Sequence, residues 1–303
     1  MPIKNWHAWL TYRLCLYNTL NPNNNQAKRS MAKRIRTLRA IRPNKGIEMA
    51  YRKKLMKLVD EMQHSVKYWI EAEYKKQEPV IMADDATPAD AMARALHKRF
   101  TQWQRNFSRQ AKKLAEWFVR QNYKYTESAF KDAWRSYKSQ KFQQKLEELG
   151  FAIDLKMTPA MQNVMKSFIH ENVNLIKSIP EKYFTEVEGM VMRSVRSGRD
   201  LQYLTDELEH RYGITHRRAV LIARDQNNKA TEQMNRTRQM DLGIKQGIWV
   251  HASGVKEPRH SHEQANGKIF DLDKGLYIDG KWTFPGQEIN CHCMCRPIIE
   301  EFL

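Results

Sequence analysis

The spacing of apolar residues changes once along the chain, near Gly243, and this change constrains the fold more than any other feature. Before it, apolar residues recur every three or four positions, as they do from Gly46 to Gln77, which is typical of amphipathic helices. After it, Gly247 to His251 is strand-like and Asp279-Gly280 is a hairpin-turn signal. The sequence therefore predicts a mainly α protein with a small α+β C-terminal domain, in which long helices precede a short unit of hairpin and strands.

Proline and glycine residues divide the helical part into predicted elements. Thr87-Pro88 and Thr158-Pro159 each combine a capping residue with a proline suited to the first helical turn, so each predicts a helix start. Pro180 is expected to break a helix, and Gly213 is expected to end one before Thr215 caps the next. The predicted regions are a basic helical region at 1–150, a helical connector at 151–212 and a compact domain at 213–303.

Composition and apolar run lengths exclude several classes of protein. Only 12 of the 303 residues are Gly and 10 are Pro, which excludes collagen-like and low-complexity chains. The longest apolar stretches are far shorter than the roughly 20 residues that a membrane-spanning helix needs. Trp, His and Arg interrupt the N-terminal segment where a signal peptide would be continuously apolar. We therefore expect a soluble protein made in the cytoplasm, with no membrane contact.

The net charge of +18 is concentrated in the first half of the chain. Residues 1–150 hold 31 basic and 14 acidic side chains, whereas residues 213–303 hold 13 and 11. Residues 28–57 contain twelve Lys and Arg and one acid, Glu48, which is too few acids for internal pairing. This density favours contact with phosphates, and because the sequence has no base-reading motif, DNA binding is expected to be independent of base sequence. An acidic protein partner and a solvated basic face are the alternatives. The candidate DNA-binding residues are Arg29, Lys33, Arg34, Arg36, Arg39, Arg52, Lys53, Lys54 and Lys57.

Three of the four cysteines, Cys291, Cys293 and Cys295, lie within five residues, which is not the spacing of a disulfide framework. In an extended strand their sulfurs point to one face, with successive sulfurs roughly 7 Å apart. If the strand kinks, Cys291 and Cys293 can join His262 as ligands of a tetrahedral zinc ion. Buried free thiols with hydrogen-bonded histidines are the alternative. A metal-dependent nuclease or processing enzyme that uses histidines and Asn266 is a further hypothesis.

An ordered set of motifs runs through about the last 90 residues. The motifs are Ile222-Ala223-Arg224-Asp225, Gly247-Ile248-Trp249, Arg259-x-x-His262, Asn266-Gly267-Lys268-x-Phe270, Pro285-Gly286 and Asn290-Cys291-x-Cys293. This order resembles the Mu F-like minor head protein family, also called phage head morphogenesis proteins. Members of that family commonly have Arg-Thr-Glu in the helix motif, where this chain has Arg224-Asp225-Gln226. The glutamine argues against a catalytic acid at that position.

The resemblance implies a component of the head of a tailed phage or prophage that associates with the portal vertex and the packaged DNA during assembly. Residues 213–303 would then be the head morphogenesis domain. The implied partners are the portal protein, other head proteins and phage DNA. The implied location is the host cytoplasm during assembly and the virion head afterwards. We expect no catalysis, because the chain shows neither a nucleophile with a base nor a phosphate-binding glycine loop. A plain non-specific DNA-binding module remains an alternative. The motif residues expected to act structurally are Arg224, Arg259, His262, Gly267 and Asn290.

Overall fold

The computed structural model describes residues 35–76, 88–137, 157–196, 201–252 and 257–299. The chain divides into two compact units, residues 1–36 and 37–303. Only Ile35 and Arg36 of the first unit are described, so the fold below is that of the second unit. The predicted cap at Thr87 and the candidate DNA contacts Arg29, Lys33 and Arg34 lie outside the described residues.

Four long helices make up most of the second unit: α1 (Lys45–Lys76), α2 (Pro88–Arg135), α3 (Pro159–Arg196) and α4 (Leu201–Asp241). The Asn44 carboxamide caps α1 by accepting hydrogen bonds from the next turn, and the Thr158 hydroxyl accepts one from the Met161 N–H at 3.1 Å. The predicted cap at Thr158 is therefore confirmed, as is the mainly helical fold.

Apolar residues at helical spacing form the core of this helical body. Tyr51, on α1, is fully buried and stacks on Phe118 of α2 with ring centroids 4.2 Å apart. Leu55, Met62 and Phe107 are also fully buried. The aromatic residues of α2 therefore stabilise the helix packing. Of the described helices, none is both long and apolar enough to cross a membrane.

Two of the helices continue through residues that were expected to stop them. Pro180 lies inside α3, and Gly213 lies inside α4. Ile176, Ile179 and Tyr183 surround the proline and are buried, so packing on both sides of it outweighs the loss of one backbone hydrogen bond. At the second position Thr215 does not cap a new helix. Its hydroxyl donates to the Arg211 carbonyl one turn earlier, as an interior helical residue does.

Gly213→Ala tests the continuity of α4. A β-carbon at this position would lie 3.6 Å from its nearest neighbour, the Arg217 guanidinium, so there is room for it. We expect the variant to be about 0.5–1 kcal/mol more stable than wild type in urea unfolding, because alanine loses less entropy than glycine in a helix. If Gly213 instead ended a helix in a left-handed conformation, alanine would lower the free energy of unfolding. A destabilised variant would therefore contradict the continuous helix.

The C-terminal part contains β1 (Gln246–Val250), α5 (His260–Gln264), β2 (Ile269–Asp271), β3 (Leu276–Ile278), β4 (Lys281–Thr283) and β5 (Met294–Pro297). β1 is the centre of an antiparallel sheet of order β2-β1-β5, and β3 and β4 form a separate hairpin. Asp279 and Gly280 both have positive φ, 52° and 78°, which a two-residue type I′ turn requires. The predicted hairpin is confirmed.

A second hydrophobic cluster lies beneath this sheet and fixes its position. Trp249, in β1, is fully buried and makes edge contacts with Phe270 and His262. Phe130 and Trp134, near the end of α2, belong to the same cluster. The sheet is thus built onto the helical body, and α4 leads directly into it.

Candidate metal centre

Residues 289 and 290, just before the cysteines, are held by two helices. From the N-terminal side of α5, Arg259 Nη2 donates to the Ile289 carbonyl at 3.0 Å. From α4, Arg224 Nη2 donates to Asn290 Oδ1 and the Asn290 N–H donates to Asp225 Oδ1, both at 2.9 Å. Asn290 has φ of +59°, a left-handed conformation that asparagine tolerates better than most residues. Arg224, Arg259 and Asn290 therefore converge on the segment that presents the cysteines.

The next turn of α4 holds the segment at Cys291 and His292. Asn228 Nδ2 lies 3.2 Å from the Cys291 carbonyl and 2.9 Å from His292 Nδ1. The pKa of His292 is lowered, first by burial and then by the positive charge of Arg224, which favours the neutral ring that accepts a hydrogen bond. One asparagine thus fixes two consecutive residues.

His262, Cys291 and Cys293 form a compact cluster whose donor atoms all lie within 4.8 Å of one another. The His262 Nδ1 atom is 3.4 Å from the Cys291 sulfur and 3.7 Å from the Cys293 sulfur. All three residues are about 3% exposed. Within the described parts of the chain, this is the one group of at least three His, Cys, Asp or Glu side chains with the geometry to hold a metal ion.

The pKa values of the two cysteines in this cluster are shifted in opposite directions. The pKa of Cys291 is lowered to about 5, chiefly because Cys293 donates a hydrogen bond to its sulfur. The pKa of Cys293 is raised for the complementary reason, and burial raises it further. Cys291 therefore loses its proton more readily than Cys293, and the thiolate is the form of cysteine that binds a metal ion.

The expectation that all three cysteine sulfurs share one face of an extended strand is wrong. β5 begins only at Met294, so Cys291 and Cys293 precede it and are not held at the wide spacing of strand residues. Cys295 lies within β5 opposite Trp249, and its sulfur contacts Gln239 Oε1 of α4 at 3.5 Å. Gly247 permits this arrangement, since a β-carbon there would lie 2.4 Å from the Cys295 sulfur.

Glu232 explains the Pro285-Gly286 motif. It is buried on α4, and its Oε2 accepts a hydrogen bond from the Cys295 N–H at 3.1 Å. Burial raises its pKa well above the ordinary value of a glutamate. A β-carbon on Gly286 would lie only 2.7 Å from Glu232 Cγ. The glycine therefore lets the loop after β4 close over this carboxyl group.

The remaining predicted residues lie elsewhere. Gly267 has φ of +82° and its N–H donates to the Trp249 carbonyl at 2.8 Å, so it forms the turn that leads into β2. The candidate DNA contacts are not part of this centre; those in the described residues are all exposed on the surface. They are Arg36, Arg39, Arg52, Lys53, Lys54 and Lys57.

Sequence reasoning assigned no role to four residues of this region: Asp225, Asn228, Glu232 and His251. The first three recur at three or four residue intervals on α4, a spacing that resembles an exposed polar helix face. His251 follows β1, and its Nδ1 is 3.5 Å from the Cys293 sulfur. The pairing of β1 with β5 would have revealed this contact. Its register pairs Trp249 with Cys295 and Val250 with Met294, and so brings His251 opposite Cys293.

Comparison with known proteins agrees with the motif order. Residues 185–296 match the family described as Phage Mu protein F like protein. The resemblance predicted for the C-terminal region is confirmed there. The Mu F-like region begins inside α3 and includes α4, the sheet and the whole cluster described above.

A relative from Haemophilus influenzae, described as an uncharacterized protein, is 25% identical over 273 residues. The alignment covers 88% of this chain and 56% of the relative, so the chain spans little more than half of that relative's length. No solved structure matches the chain.

Proposed function

We propose that this chain is a minor head protein of a tailed phage or prophage, which acts without catalysis and associates with the portal vertex during head assembly. The observation that carries the proposal is the Mu F-like match over residues 185–296. The hydrogen bonds that join Arg224, Asp225 and Arg259 to the segment before the cysteines support a structural role for the motif residues. We assign the assembly role to residues 213–303. The chain would be located in the host cytoplasm during assembly and in the virion head afterwards.

An exposed aromatic pair supports docking of this region on another head protein, and we propose the portal as that partner. Tyr277 and Trp282 face each other across the β3–β4 hairpin, with ring centroids 5.6 Å apart, and each is 60% exposed. Ile289 is also 60% exposed. Large aromatic side chains of this kind supply much of the binding energy of protein interfaces.

Mass spectrometry of purified heads tests the proposed function. We expect the wild-type chain in heads of the phage or prophage that encodes it, and we expect Trp282→Ala to be incorporated less while remaining folded, because it removes an exposed contact. Lys281→Ala, on the same strand and also exposed, is the matched control and should be incorporated normally. A wild-type chain that is absent from heads would contradict the function, whereas normal incorporation of Trp282→Ala would contradict only this docking surface.

We also propose that the basic helical region contacts packaged DNA. Arg52, Lys53, Lys54 and Lys57 are exposed on α1. α2 adds further exposed basic residues that fall within about 120° around the helix axis over about 45 Å of its length. They are Arg94, Lys98, Arg105, Arg109, Lys112, Lys113, Arg120 and Lys124. A row of cations of this length is suited to a phosphate backbone and has no need of base recognition.

The salt dependence of DNA binding tests this contact. Replacing Arg39, Arg52, Lys53, Lys54 and Lys57 together by glutamine should flatten the slope of log affinity against log salt by about 0.9 for each lost phosphate contact. The comparison variant replaces Arg105, Arg109, Lys112, Lys113 and Arg120 of α2, which changes the net charge equally. An unchanged slope in the first variant would show that α1 and residue 39 do not contact DNA, and an unchanged slope in both would contradict DNA binding by this region.

A further inference from the structure

We propose that His251, His262, Cys291 and Cys293 form a structural zinc site that joins the end of β1, the helix α5 and the segment before β5. The inference goes beyond the proposed head function and does not depend on it. His262, Cys291 and Cys293 were candidates from the sequence. The structure places His251 Nδ1 3.5 Å from the Cys293 sulfur, and this histidine would complete a set of two thiolates and two imidazoles.

Three sulfur–nitrogen contacts in the cluster have lengths that match those between ligands of one zinc ion. With Zn–S of about 2.3 Å and Zn–N of about 2.0–2.1 Å, tetrahedral angles put sulfur and nitrogen ligands about 3.6 Å apart. These contacts are 3.4 Å for Cys291 Sγ to His262 Nδ1, 3.7 Å for Cys293 Sγ to His262 Nδ1, and 3.5 Å for Cys293 Sγ to His251 Nδ1. Hydrogen bonds between a thiol and an imidazole have similar lengths, so the metal content of the protein distinguishes a zinc site from packed side chains.

His251 is held so that its ring lies beside the sulfurs. Its N–H donates to Asn266 Oδ1 at 3.0 Å, which ties the end of β1 to the turn after α5. It is half-buried, whereas the other three ligands are buried, so it closes the side of the cluster nearest to solvent. His262 approaches the cluster from α5, and its ring makes an edge contact with Trp249.

The ligand set selects the metal and the role. Two thiolates with two imidazoles in tetrahedral geometry favour Zn²⁺, and sites with four protein ligands are structural because no position is left for a reactive water. Zinc binds both cysteines as thiolates, so any thiol proton that the pair still holds is released to solvent as the two Zn–S bonds form. Such a site is unlike that of a metal-dependent nuclease, which needs an open coordination position for water or substrate.

The metal content of the wild-type full chain is the first test. Purified with reductant and without chelator, the chain should carry about one zinc ion. After replacement of zinc by Co²⁺, it should show the near-ultraviolet thiolate band and the visible bands of tetrahedral cobalt. A wild-type chain with less than about a tenth of this zinc content and no cobalt–thiolate band would overturn the proposal.

Matched variants then identify the ligands. Cys293→Ala and His262→Ala should lose the metal, whereas Cys295→Ala should keep it, because the Cys295 sulfur lies against Gln239 and not in the cluster. His251→Ala should bind zinc at least about tenfold more weakly and alter the cobalt spectrum. His260→Ala is its control, since the side chain of His260 is 93% exposed. Loss of metal from Cys295→Ala would overturn the assignment of the thiolates, and wild-type affinity with an unchanged spectrum in His251→Ala would overturn the fourth ligand.

Discussion

The Glu127→Ala variant should unfold with a free energy about 3–5 kcal/mol below that of wild type, the cost of breaking a buried ion pair. Arg238 of α4 is 2% exposed, and its Nε donates to Glu127 Oε1 of α2 at 2.8 Å. Asp241 lies farther away, with its Oδ2 at 3.6 Å from Arg238 Nη1. Without Glu127 the guanidinium stays charged and buried beside a weaker partner. Urea unfolding followed by circular dichroism measures the change.

The opposite deletion, Arg238→Met, should cost less. Burial raises the pKa of Glu127, so this carboxyl group can take up a proton once its partner is gone, whereas an arginine cannot lose one. Glu116→Ala is the matched control on the same helix. Its carboxylate lies 3.9 Å from Lys112 in an exposed pair, for which the expected cost is below about 1 kcal/mol. Equal costs for Glu127→Ala and Glu116→Ala would contradict the role of the buried pair.

Trp249→Ala should also lower the free energy of unfolding, by about 3–5 kcal/mol, because it leaves a large cavity at the centre of the second hydrophobic cluster. The side chain is fully buried, 5.3 Å from His262 and 6.0 Å from Phe270 between ring centroids. Far-ultraviolet circular dichroism is the suitable probe, because the substitution changes the fluorescence.

Trp282→Ala is the matched control, since it removes the same side chain from the same part of the protein at a position that is 60% exposed. We expect it to change stability by no more than about 0.5 kcal/mol. Two variants that unfold at the same urea concentration would show that Trp249 is not the centre of that cluster.

Local sequence signals predicted local structure. The cap at Thr158 and the turn at Asp279-Gly280 each depend on neighbouring backbone groups, and both are found at the predicted positions. Pro180 and Gly213 gave the wrong helix ends, because packing against other helices decides the conformation there. A residue's intrinsic preference is worth less than the burial of the apolar side chains around it.

The candidate metal centre was predictable only in part, because ligand chemistry is visible in the sequence and long-range strand pairing is not. Ligand chemistry alone singles out His262, Cys291 and Cys293 in the sequence. The pairing of β1 with β5 is a long-range property, and without it His251 has no visible relation to the cysteines. Similarly, Glu232 resembles a solvated residue in the sequence, whereas the loop containing Gly286 covers it in the fold.

The unbroken helix α4 also limits how sequences of this kind can change in length. It contributes Leu204 and Leu208 to the helical core at one end and Arg238 to the buried ion pair at the other. Inserting or deleting one residue between these positions would turn everything beyond it by about 100° and shift it by about 1.5 Å. Asp225, Glu232 and Arg238 could not all remain on their present faces. Insertions and deletions within residues 201–241 are therefore expected to disrupt the fold.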